Sequence, residues 1–169
     1  MKKIIYMAMT INAFIAESND NTPWSKEEWD SFNQTAKEAG NIVIGRRTYE
    51  LMREGDGFNK LQDTLVIVVT SKTDGKNDTI LNFVHNPKEA IDLLEQKGYQ
   101  VALIAGGREL NSSMIKEGLI DELYLDVEPQ IFSKGISIFS NDISDKELKL
   151  LGSKMIGTDT IQLHYAVIN

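Results

Sequence analysis

Two adjacent glycines at the end of an apolar run are the clearest chemical signal in this sequence. The segment Val101–Leu110 reads VALIAGGREL, so β-forming residues stop at Gly106-Gly107 and a helix-forming segment follows. Glycines at such a junction let the backbone approach a ligand where a side chain would intervene. The start of the following helix offers N–H groups without intrahelical partners and the positive end of a dipole, which suits a phosphate. An ordinary tight turn is the alternative interpretation.

Similar chemistry follows two other predicted strands. Gly45-Arg46-Arg47-Thr48 ends one of them, and Thr70-Ser71-Lys72 ends the other. Ligands of open α/β sheets bind beyond the carboxyl ends of the strands. Three phosphate-compatible ends therefore predict an extended anion such as a dinucleotide, and Lys72 favours NADP over NAD because a fixed cation suits a 2′-phosphate. The GxGxxG fingerprint is absent, and solvated surface cations are the alternative.

Hydrophobic periodicity and capping residues predict strands alternating with helices, then a mostly β C-terminus. The continuous β-branched run Thr64–Val69 is typical of a strand buried on both faces. We expect a three-layer α/β sandwich with a mixed, mainly parallel sheet and an antiparallel C-terminal hairpin. The predicted strands are Lys3–Met9, Asn41–Ile44, Thr64–Val69, Ile80–Val84, Val101–Ala105, Leu119–Val127, Leu148–Met155 and Thr160–Ile168; the predicted helices are Ser25–Ala39, Arg47–Met52, Pro87–Lys97 and Glu109–Glu117; Arg53–Lys60 and Ser71–Thr79 are predicted loops.

The composition narrows the class of protein. A chain of 169 residues predicts a single domain over 1–169, and the lack of cysteine excludes disulfides and thiolate sites. A net charge of −7 without a basic cluster argues against nucleic-acid or membrane partners. Polar residues interrupt the first apolar run early, which indicates a strand and not an export signal, and we expect a cytoplasmic protein.

The order of the motifs resembles the dihydrofolate reductase superfamily, and within it stand-alone proteins similar to the C-terminal reductase domain of the bifunctional riboflavin biosynthesis enzyme. The resemblance covers nearly the whole chain. Val43–Tyr49 (VIGRRTY) resembles the most recognisable motif of the family, and Ile104–Leu110 (IAGGREL) resembles its Gly-Gly motif, which often carries a cis peptide. Asp121-Glu122-Leu123, Pro129–Phe139 and the closing hairpin resemble the riboflavin-type branch.

The resemblance implies NADPH as the cofactor and assigns residues to it. Ala8 and Ile15 would line the nicotinamide end, and Tyr6, Trp24, Trp29 and Tyr49 would border the substrate cavity. The residues implied for the rest of the cofactor are Gly45, Arg46 and Thr48 at the pyrophosphate and adenosine side; Thr70, Ser71 and Lys72 at the 2′-phosphate; and Gly106, Gly107, Arg108, Glu109 and Leu110 around the pyrophosphate.

Two departures from the family pattern bear on activity. Many relatives read Asp-Gly where this chain has Asn12-Ala13, and alanine lacks the conformational freedom of glycine. An ungapped count back from Gly45 puts Trp29 at the position of the carboxylate that helps to protonate folate. Glu28 and Asp30 adjoin Trp29, and a shift of one residue would bring either of them to that position. No catalytic residue is assigned.

The predicted function is NADPH-dependent hydride transfer to a small, flat or heterocyclic substrate: a pyrimidine-type ribose intermediate, a pterin or an unrelated compound. The proton would come from water or from the substrate. A nucleotide-binding module without turnover is one alternative, and a true dihydrofolate reductase is another that Trp29 disfavours. His85 and His164 lack metal-ligand spacing, so no metal is expected. By analogy with the riboflavin-type branch we expect a homodimer.

Overall fold

The alternating strand and helix segments build an eight-stranded mixed sheet with helices on both faces. A computed structural model describes residues 1–55, 57–72 and 75–168. The strands of the main sheet are β1 (Lys2–Thr10), β3 (Asn41–Gly45), β4 (Leu65–Val69), β5 (Leu81–Val84), β6 (Val101–Ile104), β7 (Glu122–Glu128), β9 (Glu147–Ile156) and β10 (Thr160–Ile168), in the order β5-β4-β3-β6-β1-β7-β10-β9. The helices are α1 (Lys26–Ala39), α2 (Arg46–Glu54), α3 (Pro87–Gln96) and α4 (Arg108–Lys116).

The six neighbouring strands β5, β4, β3, β6, β1 and β7 run parallel to one another. The strands β10 and β9 add an antiparallel hairpin at one edge. The α1 and α2 side of the sheet holds Ile42 and Ile44, whereas the α3 and α4 side holds Val43 and Ile104. Because β3 and β4 are covered on both faces, they read as continuous apolar runs. The predicted three-layer fold is confirmed.

Local signals in the sequence set the helix ends. Ser25 Oγ accepts a hydrogen bond from the Glu28 N–H at 3.2 Å, and Gly40 ends α1 with φ of 70°. The Asn86 side chain caps α3 through the Glu89 N–H, with Pro87 at the first position. Caps of this kind satisfy N–H and C=O groups that the helix leaves unpaired, and this explains why the boundaries of α1 and α3 were predictable.

A second, two-stranded sheet was not predicted. Its strands are β2 (Phe14–Glu17) and β8 (Gly135–Ser137), which pair antiparallel. With four and three residues, they are too short for alternation to stand out from a loop. The two strands lie so close together at Gly135 that a Cβ on this residue would be 2.6 Å from the Ala16 carbonyl oxygen.

Two predicted boundaries shift by more than one residue. β7 begins at Glu122 and not at Leu119, because residues 119–121 form the connection from α4. α2 begins at Arg46 and continues to Glu54, so the predicted loop Arg53–Lys60 starts inside this helix. That loop includes Asp56, and the predicted loop Ser71–Thr79 includes Thr73 and Asp74; these three residues lie outside the described part of the chain. Within the described residues, each helix is too short or too polar to cross a bilayer.

Candidate functional site

A cleft opens where the helices after two neighbouring strands diverge. β3 leads into α2 on one face of the sheet, and its neighbour β6 leads into α4 on the other. Such a reversal creates a crevice at the carboxyl edge of a parallel sheet. The cleft here has a volume of about 1250 Å³. It extends from the ends of β3, β4 and β6 past β1 to the first turns of α1, and β2 and β8 contribute Ile15 and Ile136.

The Gly106-Gly107 segment forms the floor at the centre of the cleft. The peptide between the two glycines is cis, and Gly106 has φ of 84°. The Gly106 carbonyl accepts a hydrogen bond from the Gly45 N–H at 2.8 Å, so the loop after β6 is joined to the end of β3. Gly107 lines the cleft, whereas a Cβ on Gly106 would point at Met7, 2.9 Å from its Sδ.

Two helix N-termini open onto this floor. The N-cap residues of α2 and α4 are Gly45 and Gly107, and neither has a side-chain cap. Thr48 Oγ1 would lie 3.5 Å from a Cβ on Gly107, so the two helix starts are adjacent. Paired helix N-termini capped by glycine leave backbone N–H groups available to an anionic ligand. This part of the cleft has the features of a phosphate-binding surface.

The end of β4 supplies a third polar segment. The Thr70 hydroxyl accepts a hydrogen bond from the Lys72 N–H at 3.1 Å, which turns the chain after the strand. The Thr70 N–H donates to the Val84 carbonyl at 2.9 Å. His85 therefore follows β5 directly beside Thr70, and it also lines the cleft. Ser71, Lys72 and His85 are exposed there, and all three can donate hydrogen bonds to an anion.

Most cations of the cleft already have an acidic neighbour. Arg46 Nε donates to Glu50 Oε1 at 2.6 Å, and this contact holds the pKa of Glu50 below its ordinary value. Arg47 pairs with Asp20, and Arg108 Nε donates to Glu109 Oε1 at 3.0 Å. These pairs are solvent-exposed to different degrees, so they contribute little to stability. They hold guanidinium groups at the rim, where an anionic ligand could exchange with the carboxylates.

All but two of the residues assigned by resemblance line this one cleft. Those that do are Tyr6, Ala8, Ile15, Trp24, Trp29, Gly45, Arg46, Thr48, Thr70, Ser71, Lys72, Gly107, Arg108, Glu109 and Leu110. Gly106 belongs to the floor segment, but a Cβ at this position would point at Met7 and not into the cleft. The structure thus brings together residues from five separate segments of the sequence.

Tyr49 is the other exception, and its assignment to the substrate cavity is corrected. Its side chain is buried on the far side of α2, with its ring 5.3 Å from Phe83 and 5.9 Å from Phe58 between centroids. The Arg53 guanidinium lies 5.6 Å above the ring. Thr48 and Tyr49 are neighbours on a helix and point about 100° apart, so only Thr48 faces the cleft.

A buried carboxyl lies at the substrate end of the cleft, where none was assigned. Glu28 is 3% exposed, and its Oε2 has no hydrogen-bond partner among the described residues. Asp30 is on the solvent side, paired with Lys26. Trp29 borders the opening and is 38% exposed. Of the residues considered for the carboxylate position, Glu28 is the acid that faces the cleft.

Burial governs the acidity of Glu28. Loss of hydration, followed by repulsion from Asp126 and then Glu128, raises the pKa of its carboxyl to about 8. The Tyr6 hydroxyl donates to Asp126 Oδ2 at 2.5 Å, and burial together with this carboxylate raises the pKa of Tyr6. Glu28 is therefore a carboxylic acid that keeps its proton near neutral pH, a property found at acid–base sites.

The helical spacing of α1 contains the signal for Glu28. Phe32 and Ala36 face inward on α1. Trp29 precedes them with the spacing i, i+3, i+7, and Glu28 precedes them with the spacing i, i+4, i+8. Both spacings are compatible with the same helix face. Apolar character favours Trp29, but the helix turns Glu28 inward. A buried acid has no compositional signature, so the sequence leaves this choice open.

The Asn12-Ala13 departure has a visible structural consequence. Asn12 Oδ1 accepts from Thr10 Oγ1 at 2.8 Å, and its Nδ2 donates to the Phe132 carbonyl at 2.8 Å. The amide thus fastens the β1–β2 turn to the segment after β7. Ala13 has φ of 63°, a conformation that costs a non-glycine residue about 1–2 kcal/mol. The turn keeps its shape despite the lack of glycine.

The two histidines lie far apart on the main sheet. His164 Nε2 lies 2.8 Å from Glu122 Oε2, and its ring stacks on Tyr124 at 4.1 Å between centroids. His85 is at the opposite end of the sheet. Among the described residues, no group of three or more His, Asp or Glu side chains is arranged to hold a metal ion.

Comparison with known proteins places this geometry in a family. The chain is 29% identical over 170 residues to the uncharacterized protein YwjB of Bacillus subtilis, covering 97% of each. A putative riboflavin biosynthesis protein from Shewanella sp. PV-4 superimposes with a TM-score of 0.82 over 100% of both chains at 18% identity.

Dihydrofolate reductase from Enterococcus faecalis, solved in complex with NADP(H), superimposes with a TM-score of 0.74 at 20% identity, covering 99% of this chain and 97% of that one. The likeness to both solved structures establishes the dihydrofolate reductase-like fold. The model of the RibD C-terminal domain matches residues 2–162. The chain therefore belongs to the RibD C-terminal domain family.

Proposed function

We propose that the protein is an NADPH-dependent oxidoreductase that transfers a hydride to a small heterocyclic substrate, as a riboflavin-pathway-type reductase does. The observation that carries this proposal is the layout of the cleft. One end offers glycine-capped helix N-termini, and the other end offers a buried carboxylic acid beside aromatic side chains. An anionic cofactor and an apolar, hydrogen-bonding substrate would meet between them.

The residues present fit a phosphorylated dinucleotide. Gly45 and Gly107 leave the floor open, and Thr48 adds a hydroxyl next to them. Lys72, Ser71 and Thr70 would hold a 2′-phosphate at the end of β4, and the rim guanidinium of Arg46 would face the pyrophosphate. Ala8 and Ile15 give the middle of the cleft a small apolar surface that suits a nicotinamide ring. The solved Enterococcus faecalis neighbour in complex with NADP(H) supports this cofactor.

The chain's own part in the reaction is to orient the reactants and to hold a proton. When bound, the nicotinamide supplies the hydride. Trp24, Trp29 and Phe32 would pack on a flat substrate, since all three line the cleft. Glu28 keeps a proton in a buried position and would offer it to a nitrogen or oxygen of the substrate. General acid catalysis of this kind contributes about 10²–10⁴-fold to a rate.

Reduction of a pterin is a second candidate. Trp29 at the ungapped carboxylate position argues against it, whereas Glu28 supplies a carboxyl at the cleft. Turnover of dihydrofolate in a panel that also contains pyrimidine-type, imine and carbonyl compounds separates the two substrates. A protein that binds NADPH but oxidises it with no member of the panel would instead be the nucleotide-binding module without turnover.

Replacing Lys72 tests the cofactor end. Titration calorimetry of wild-type protein should show NADPH binding more tightly than NADH. We expect Lys72→Ala to weaken NADPH binding by roughly tenfold, because a charge-assisted hydrogen bond to the 2′-phosphate is lost. NADH lacks that phosphate, so its affinity should change less than about twofold.

Lys76→Ala is the matched control, since Lys76 is an exposed lysine of the same segment that does not line the cleft. It removes the same charge and should leave both affinities unchanged. Folded wild-type protein that binds neither nucleotide would contradict the proposed function.

We also propose that the protein is a homodimer formed through the β9 edge. β9 is a ten-residue edge strand in which Leu148, Leu150, Leu151 and Met155 are exposed. Proteins usually protect a long apolar edge of this kind from unwanted pairing. The β9 strands of two copies could pair antiparallel about a twofold axis between Leu150 and Leu151. This register would place Glu147 opposite Lys154 of the partner.

Light scattering coupled to size-exclusion chromatography tests the dimer. Wild type should elute at about twice the 19.0 kDa chain mass, and Leu150→Glu should elute as a folded monomer because buried charge opposes association. Ile80→Glu is the control, as Ile80 is exposed next to β5 at the other edge of the sheet. A monomeric wild type at micromolar concentration would contradict the proposal.

A further inference from the structure

Three buried carboxyls approach one another beneath the substrate end of the cleft. Glu28 comes from the first turn of α1, and Asp126 and Glu128 come from one face of β7. Their exposed fractions are 3%, 0% and 1%. Ionising several neighbouring carboxyls in a poorly hydrated site is unfavourable, so at least one of them should retain a proton at neutral pH.

Hydrogen-bond donors distinguish the three groups. Asp126 accepts from the Tyr6 hydroxyl at 2.5 Å and from Gln162 Nε2 at 2.8 Å. Glu128 accepts from Ser25 Oγ at 2.8 Å and from Thr160 Oγ1 at 3.0 Å. Donors of this kind stabilise a carboxylate relative to the acid. Asp126 is therefore equipped to carry a negative charge, and two hydroxyl groups hold Glu128 in place.

Glu28 Oε2 has no comparable hydrogen-bond donor among the described residues. This oxygen is also buried. The ionisable groups that act on Glu28 from the sheet are Asp126 and Glu128 of β7 and the Tyr6 hydroxyl of β1. Lys154 of β9 acts on Asp126, whose charge it favours, and Arg46, Arg47 and Lys60 line the other walls of the same cleft.

Tyr6 connects the two sides of this cluster. Besides its bond to Asp126, its hydroxyl lies 2.8 Å from Ser31 Oγ, one turn after Glu28 on α1. The pKa of Tyr6 is raised, so the phenol remains a donor to Asp126 across the neutral range. Burial raises the pKa of Asp126 above its ordinary value, while Tyr6 and Gln162 oppose that rise.

We propose that Asp126 is a positioning residue for Glu28: its carboxylate, fixed by Tyr6 and Gln162, keeps the proton of the cluster on Glu28, where it faces the cleft. The catalytic use of that proton rests on the proposed function. The coupling between the two carboxyls belongs to the protein without cofactor and can be measured there.

Carbon-13 NMR of side-chain carboxyls in cofactor-free protein tests the order of ionisation. The resonance lost in Glu28→Gln identifies Glu28, and the resonance lost in Asp126→Asn identifies Asp126. In the wild type we expect Glu28 to titrate with a midpoint near 8, and Asp126 to be ionised at lower pH. Wild-type protein in which Glu28 ionises before Asp126 would overturn the proposal, even if the variant at position 126 does not fold.

The coupling is tested with a charge-removing and a charge-keeping substitution. Asp126→Asn should lower the titration midpoint of Glu28 by about one pH unit, because a neighbouring negative charge is removed. Asp126→Glu should keep the midpoint close to the wild-type value. Asp30→Asn is the matched control on α1, because Asp30 is exposed and paired with Lys26, and it should not move the Glu28 midpoint.

A Glu28 midpoint that is equal in wild type and Asp126→Asn would contradict the coupling. The kinetic counterpart is the alkaline limb of kcat/KM, which should move to lower pH in Asp126→Asn while the Kd of NADPH stays unchanged. If NADPH does not bind to the folded wild type, the proposed function fails; if it binds and the limb does not move, only the role of Asp126 fails.

Discussion

Glu28→Gln is expected to reduce substrate turnover by about 100-fold at pH 7 without weakening NADPH binding. Glutamine preserves the shape of the side chain but cannot donate a proton of comparable acidity, so a general-acid contribution of this size is lost. Glu28 lies at the substrate end of the cleft, away from the glycine-capped helix starts. Steady-state rates with the panel compound that turns over, and calorimetric titration with NADPH, measure the two quantities separately.

The same substitution changes how stability depends on pH. In the folded protein the pKa of Glu28 is raised from 4.5 to about 8, so the folded state binds more protons than the unfolded state between these values. The resulting stabilisation is fully present below pH 4.5 and is lost as the pH rises through 8. We expect wild type to lose roughly 3–5 kcal/mol more than Glu28→Gln between pH 5 and 9, measured by urea unfolding.

Glu27→Gln provides the matched control, because Glu27 is exposed on the same turn of α1. It removes one negative charge from the surface and should alter neither turnover nor the pH slope. Parallel stability curves for wild type and Glu28→Gln would contradict the raised pKa. Equal turnover by the two proteins would mean that the proton comes from water or from the substrate.

The cofactor end of the cleft was predictable because its chemistry is backbone chemistry. Glycine is the residue that permits a positive φ or a close approach, so Gly45, Gly106 and Gly107 mark the segments that need it. The strands before them are buried on both faces and therefore stand out as apolar runs. Neighbouring parallel strands end at one edge, so the two segments meet in space although Gly45 and Gly106 are 61 positions apart in the sequence.

The substrate end was less predictable because it depends on tertiary burial. The orientation of Glu28 follows from the packing of Phe32 and Ala36 against the sheet, which residue types alone do not decide. The burial of Asp126 and its bond to Tyr6 arise from the pairing of β1 with β7. Their sequence separation of 120 residues carries no local signal, and the short strands β2 and β8 also depend on each other for pairing.

Substitution by alanine should have different effects at the two adjacent glycines of the cleft floor. Gly106→Ala should reduce stability, whereas Gly107→Ala should weaken NADPH binding. Gly106→Ala places a side chain at φ of 84° and 2.9 Å from Met7 Sδ. The left-handed conformation alone costs alanine about 1–2 kcal/mol, which lowers the melting temperature of a chain of this size by roughly 2–8 °C. Thermal unfolding of the cofactor-free protein measures this loss.

Gly107→Ala should leave the melting temperature within about 1 °C of wild type, because this residue has φ of −86° and its new Cβ would have only an ordinary contact, 3.5 Å from Thr48 Oγ1. The methyl group would instead occupy the floor between the starts of α2 and α4. We therefore expect NADPH binding to weaken by at least about tenfold. Unchanged affinity in Gly107→Ala would mean that the phosphates do not lie on this floor, and Lys72 would then have to be explained by a different orientation of the nucleotide.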